Sequence, residues 1–140
     1  MTEDSIRQIA YGFGDASVPQ QFHRSYRITV SPGEVSITVD SYGDILAEKT
    51  YEIADEQFRE VVASLTRNQI RHVAPREGDP GATGGTSETI SYWDAEREIF
   101  SGTVYHCAGR DTGTLGGNVK GFADDIKRLV PDLARLLDTA

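Results

Sequence analysis

The feature that most constrains this chain is a pair of period-two segments joined by a turn too short for anything but a hairpin. Tyr26, Ile28 and Val30 alternate with polar residues, Ser31-Pro32-Gly33-Glu34 supplies a turn, and Val35, Ile37 and Val39 alternate again. A second turn, Tyr42-Gly43-Asp44, leads into Ile45, Ala47, Tyr51 and Ile53, which share one parity. Parallel neighbours need a crossover of about a dozen residues or more, so strands joined this tightly are antiparallel. Clean alternation places one face of the sheet in a core and the other in water. Phe22 extends the first alternation outward and is expected on the buried face, with Arg24 interrupting it. Residues 6–12 read as either an edge strand or an ordered arm.

At Asp55 the period changes. Phe58, Val61, Val62 and Leu65 recur at helical spacing, with Asp55 as the expected N-cap, Glu56 at the positive end and Arg67 at the negative end. The helix is expected to end near Asn68. Ser87 to Trp93 and Glu98 to His106 then read as a hairpin around Asp94-Ala95-Glu96-Arg97. Tyr92 and Trp93 are adjacent in it, so one of them points away from the core. The last segment is helical again, with Val119, Phe122, Ile126, Leu129, Val130, Leu133, Leu136 and Leu137 on one stripe. Pro131 falls inside it and forces a kink or a break.

The order strands, helix, strands, helix predicts an α+β domain: an antiparallel sheet of about five to seven strands, covered on one face by two helices. Phe58, Val61, Leu65, Phe122, Ile126, Leu129 and Leu133 are the expected helical contributions to the core. The 140 residues suit a single domain spanning 1–140.

Charge narrows the partners. Fourteen Lys and Arg against 22 Asp and Glu leave a net charge of −8, which opposes binding to nucleic acid or to an anionic membrane surface. Met1-Thr2-Glu3-Asp4 is acidic, no apolar segment follows it, and the single Cys107 has no partner for an internal disulfide. A soluble, cytoplasmic protein is expected.

Two glycine-rich loops are the most individual feature. Gly81-Ala82-Thr83-Gly84-Gly85-Thr86 and Gly113-Thr114-Leu115-Gly116-Gly117-Asn118 share a G-x-x-G-G-[TN] spacing, and the second precedes the last helix. Backbone N–H groups in such loops can converge on an anion, and a helix start adds a favourable dipole. If the loops meet, Gly84, Gly85, Gly116, Gly117 and Asn118 would line a ligand site, with Arg110 and Lys120 as charged contacts and Arg76 nearby. Neither loop carries a phosphate-loop fingerprint, and sharp turns with close packing account for the same glycines.

The remaining chemistry is sparse. His23, His72 and His106 lie on three different expected elements without metal-ligand spacing, so no metal or other cofactor is expected. His106 and Cys107 are neighbours in a strand and point opposite ways. Asp79, Asp94, Asp111 and Asp124-Asp125 read as turn or helix-start carboxylates. There is no G-x-S-x-G or S-x-x-K motif for a serine nucleophile.

Two function classes follow. One is a non-enzymatic protein-interaction module, in the manner of acidic immunity or antitoxin proteins, meeting a basic partner through an aromatic-bearing sheet face. The open face or an edge of the sheet would also serve homo-oligomerisation. The alternative is a small-anion or small-ligand binding protein or enzyme, with its site at loops 81–86 and 113–118.

Overall fold

The computed structural model describes residues 5–74, 85–107 and 110–139. Strands β1 (Gln8–Gly14), β2 (Ser25–Ser31), β3 (Glu34–Ser41) and β4 (Asp44–Glu52) precede helix α1 (Asp55–Arg67). Strands β5 (Arg71–His72), β6 (Thr86–Trp93), β7 (Glu98–Cys107), β8 (Arg110–Gly113) and β9 (Leu115–Gly116) follow, then helices α2 (Val119–Lys127) and α3 (Leu133–Thr139). Seven strands form one sheet in the order β4-β3-β2-β1-β6-β7-β8, with every pairing antiparallel. Strands β5 and β9 make a separate two-stranded ribbon. The fold is α+β and mostly sheet.

The expected alternation positions the core. Across the sheet, Tyr51, Val35, Val30, Ile9, Tyr92 and Phe100 form one transverse row, and Ile37, Ile28, Tyr11 and Ile90 belong to the next. Ile9, Tyr11, Ile28, Val30, Val35, Ile37 and Ile90 are at most 1% exposed. Each such side chain contributes about 1.5–3 kcal/mol through removal from water. Phe58, Val61, Leu65, Phe122 and Ile126 are buried in the same cluster, and Leu129 and Leu133 pack partly buried against it. Among the aromatic residues, Tyr92 stacks on Phe100 at 5.0 Å and Phe13 on Tyr26 at 5.4 Å.

The opposite face is built from small polar residues. Ser36 meets the Thr50 hydroxyl at 3.1 Å, Ser91 meets Ser101 at 2.9 Å, and Thr89 meets Thr103 at 2.9 Å. Trp93 takes the outward position next to Tyr92, with the Arg27 guanidinium 5.8 Å from its ring centroid.

Four local expectations are corrected. Residues 6–12 contribute neither an edge nor an arm, since β1 is the central strand, paired to β2 on one side and β6 on the other. Ala10 and Gly12 fill its second face, and Ala10 is as buried as Tyr11. Phe22 lies in a turn before β2 and is 66% exposed. Ile45 is 60% exposed because a bulge at Val39/Asp40 shifts the register, pairing Val39 with Ala47 and Asp40 with Ile45. The N-cap of α1 is Ala54 rather than Asp55, and the Gln57 Oε1 accepts the Ala54 N–H at 2.8 Å.

Pro131 breaks the final helix rather than bending it. α2 ends at Lys127, and α3 resumes at Leu133. Asp132, between them, accepts from Lys49 Nζ at 2.8 Å and from the Tyr51 hydroxyl at 2.9 Å, fastening the break to β4. Those two bonds and Arg135 hold the Asp132 carboxyl at about 2.

Candidate functional site

The two glycine-rich loops that the sequence singles out differ in how far the structure describes them. Residues 81–84 of the first loop, and with them Gly84, lie outside the described residues, as do Arg76 and Asp79; Gly85 sits at a bend leading into β6. The second loop is described throughout and is tightly packed. Gly116 lies in β9 opposite Arg71, and a Cβ there would come within 2.4 Å of Val73. Gly117 has φ +104°, and a Cβ would fall 2.3 Å from the Gln69 carbonyl oxygen. The chain here crosses the end of α1 at backbone contact.

The helix start that follows is capped from within. Asn118 Oδ1 accepts the Gly121 N–H at 3.1 Å, and the Asn118 N–H donates to the Asn68 carbonyl at 2.8 Å. Asn118 Nδ2 reaches Asn68 Oδ1 at 3.2 Å, and Asn68 Nδ2 donates to the Ser64 carbonyl and hydroxyl. Ser64 in turn donates to Asp125 at 2.6 Å. The Ser64 hydroxyl, then Arg67 and Arg128, hold the Asp125 carboxyl below the usual carboxylate range. The loop thus stitches the carboxyl end of α1 to the start of α2, and the Asn118 and Gly121 amides serve that seam. Lys120 is exposed in the first turn of α2, and Arg110 opens β8 opposite Cys107.

The three histidines keep three separate sets of partners. His23 is buried, stacks on Tyr42 at 3.8 Å and accepts the Tyr42 N–H through Nδ1. His72 stacks on Phe100 at 4.3 Å, with Nε2 2.6 Å from the Ser101 carbonyl. Among the described residues, no group of three His, Cys, Asp or Glu is arranged to hold a metal ion.

His106 belongs to a polar chain that the sequence reading missed. Its Nε2 lies 2.7 Å from Glu88 Oε1 and its Nδ1 2.7 Å from Asp111 Oδ1, while the Tyr11 hydroxyl donates to Glu88 Oε2 at 2.6 Å. All four residues project on the core side of the sheet, from β1, β6, β7 and β8. Only an imidazolium donates from both ring nitrogens, so this geometry suits the charged ring. Burial lowers its pKa, but hydrogen bonds and charge from Asp111 and Glu88 outweigh that and leave it raised. Burial, reinforced by the Glu88 carboxylate, pushes the Tyr11 phenol up and keeps it a neutral donor. An imidazolium held at both nitrogens has no lone pair for general-base work. The chain is a clasp across four strands. The signal was present: the 94–97 turn puts Glu88 and His106 on the inward parity of neighbouring strands, one pair apart.

Exposed apolar residues gather elsewhere, at the β3–β4 turn. Phe22, Tyr42 and Ile45 are 66%, 56% and 60% exposed, and Leu46 beside them is 39% exposed. The turn is braced from the preceding segment: Ser41 Oγ donates to the Gln20 carbonyl, Gln20 Nε2 to Asp44, and the Tyr42 hydroxyl to the Val18 carbonyl at 2.6 Å. Tyr42 takes φ +50° and Gly43 φ +91°, the pattern of a tight primed hairpin turn. A bulky residue in the left-handed region costs about 1–2 kcal/mol. Here the His23 stack and the Val18 bond hold it. Asp40 and Asp44 flank the turn and accept from the Gly43 N–H and Gln20 Nε2 respectively, while Asp15 accepts the Arg24 N–H in the segment before β2.

Among the described residues no helix is long and apolar enough to cross a membrane. No family model, no curated protein and no solved structure matches the chain.

Proposed function

We propose that the protein is a non-enzymatic interaction module whose contact surface is the β3–β4 turn together with the braced segment before β2. The observation that carries this reading is the clustering of Phe22, Tyr42, Ile45 and Leu46, all large and all exposed, on a turn pinned by side-chain bonds and a buried histidine. Exposed apolar clusters of this kind mark interaction sites, and Tyr is over-represented among residues that dominate binding energy. Covering each of the larger side chains would contribute about 1.5–3 kcal/mol, with little ordering cost because the turn is already fixed.

The partner is a basic protein that presents an apolar surface. Asp40 and Asp44 flank the turn that carries the patch, and the net charge of −8 attracts cationic surfaces while repelling nucleic acid. A cytoplasmic location goes with this reading. The edge strand β4 adjoins the patch, so strand pairing would extend the same surface to a second copy.

The test compares the wild type with a Phe22→Ser/Ile45→Ser variant as bait, followed by titration calorimetry with whichever basic protein is recovered. Both positions are exposed, so the variant should melt with the wild type. The expected result is loss of the complex in the variant and weakening of the wild-type complex with salt. A partner that binds both forms equally would overturn the assignment of this surface.

A further inference from the structure

A second surface, away from the β3–β4 turn and independent of the interaction reading, has the composition of a small-ligand site. A groove of about 620 Å³ runs between the amino-terminal segment, α1 and the start of β5. Ile6, Val62, Leu65 and Ile70 make its apolar floor, and Arg71 and Tyr92 also line it. Ile6, Val62 and Leu65 are themselves buried, so the floor is part of the packed core rather than a loose flap. Its volume falls within the roughly 300–1,000 Å³ of ordinary ligand pockets, and it sets an apolar floor beside polar groups that could fix a ligand's orientation.

Thr66 and Gln69 complete the lining, and two of its polar residues, Arg71 and Tyr92, have unused capacity. Arg71 donates from Nη1 to the Gln69 carbonyl at 3.1 Å, which fixes the guanidinium at the groove, and no carboxylate among the described residues pairs with it. That contrasts with Arg59, Arg67, Arg128 and Arg135, each of which has a carboxylate partner. The Tyr92 ring stacks on Phe100, and its hydroxyl has no hydrogen-bond partner among the described residues. Burial pushes the phenol up, so it remains a donor.

We propose that this groove binds an amphipathic monocarboxylate, its apolar tail on Ile6, Val62, Leu65 and Ile70 and its carboxylate received by Arg71 and Tyr92. A guanidinium fork matches a planar carboxylate, and the hydroxyl supplies a further donor. A chain of net charge −8 penalises a dianion more than a monoanion, which separates a carboxylate from a phosphate monoester. The carboxyl end of α1 is close by, but its last carbonyls are already taken. Ser64, Leu65 and Thr66 accept from Asn68, Ile70 and Gln69 respectively.

The experiment is titration of the full chain with decanoate, followed by amide NMR, with decanol as the neutral comparator. The expected result is saturable decanoate binding with shifts concentrated at residues 62–71 and 92. Arg71→Gln should weaken decanoate by about tenfold and leave decanol unchanged. Tyr92→Phe, which removes only the hydroxyl, should weaken decanoate in the same selective way and guards against a folding artefact at Arg71. Shifts confined to Phe22, Tyr42 and Ile45, binding that does not saturate, or equal losses for decanoate and decanol would each overturn the proposal.

Discussion

Replacing Gly117 by alanine tests whether the second glycine loop is a structural seam. Two costs add at this position. The first is conformational: φ +104° lies outside the region an L side chain adopts readily, at about 1–2 kcal/mol. The second is steric. The new Cβ would sit 2.3 Å from the Gln69 oxygen, 2.7 Å from its carbonyl carbon and 2.8 Å from the Asn68 oxygen, all backbone atoms that no rotamer change moves. Relief requires separating the loop from the end of α1, which gives up the Asn118 N–H bond to the Asn68 carbonyl and strains the Asn118–Asn68 side-chain contact. Losing a hydrogen bond of this kind costs about 1 kcal/mol. The total is about 3 kcal/mol or more, at the upper end of single-substitution effects. Gly33→Ala is the control: φ is +96°, but nothing lies within 4 Å of the added Cβ, so it carries the conformational cost alone. Urea unfolding at unchanged m should place the Gly33 variant about 1–2 kcal/mol below the wild type and the Gly117 variant well below that. If the two variants unfold at the same urea concentration, the close approach to Gln69 is not holding the helices together.

Two further outcomes follow from the same contacts. The raised pKa of His106 means that its contribution to stability is complete below about pH 6, the range of the unfolded imidazole, and is lost as pH rises through the folded value. The ring is 35% exposed, so solvent screening keeps this under about 1 kcal/mol; denaturation curves should show the alkaline decline in the wild type and a flat profile over pH 6–8.5 in His106→Gln. Gln69 closes α1 in a left-handed conformation at φ +56°, with its N–H on the Thr66 carbonyl and the Ile70 N–H on the Leu65 carbonyl, a position glycine normally holds. Gln69→Gly should therefore raise the melting temperature, by the equivalent of about 0.5–1 kcal/mol, and an unchanged or lower value would contradict the strain argument.

What could be read along the chain divides by the range of the interactions involved. β2, β3 and α1 announced themselves because each is half-buried, so polar and apolar residues alternate at the period of the element. β1 did not, although it is the central strand. Its second face carries Ala10 and Gly12 between Thr29, Ser91 and Thr89, where small residues replace the polar contrast that marks a wet face. Nothing local reveals that Gln8 to Gly14 pairs with residues 87–93, since that pairing is a fact of topology. Ile45 and Phe22 failed for a different reason. Both fit the parity of a buried face, but a bulge removes one from it and the late start of β2 at Ser25 removes the other.

The same division explains the candidate sites. The glycine loop 113–118 was conspicuous for its three glycines in six residues, a pattern that fits an anion loop as well as close packing. In the fold, the crowding at Gly116 and Gly117 comes from Val73, Asn68 and Gln69 of the same chain. The positions with unused binding capacity carry no motif at all. Arg71 follows the end of α1 and Tyr92 is one residue of a strand, yet only the tertiary fold sets both beside an apolar floor, where among the described residues no carboxylate pairs with Arg71 and no group bonds the Tyr92 hydroxyl. Phe22 and Ile45 fit the parity of a buried face, and Tyr42 sits in the turn between β3 and β4. Phe22 is exposed because β2 starts only at Ser25, Tyr42 because of its left-handed turn, and Ile45 because of the strand bulge. Exposing apolar surface through a bulge and a strained turn costs stability, and on the proposed reading contact with a partner offsets that cost.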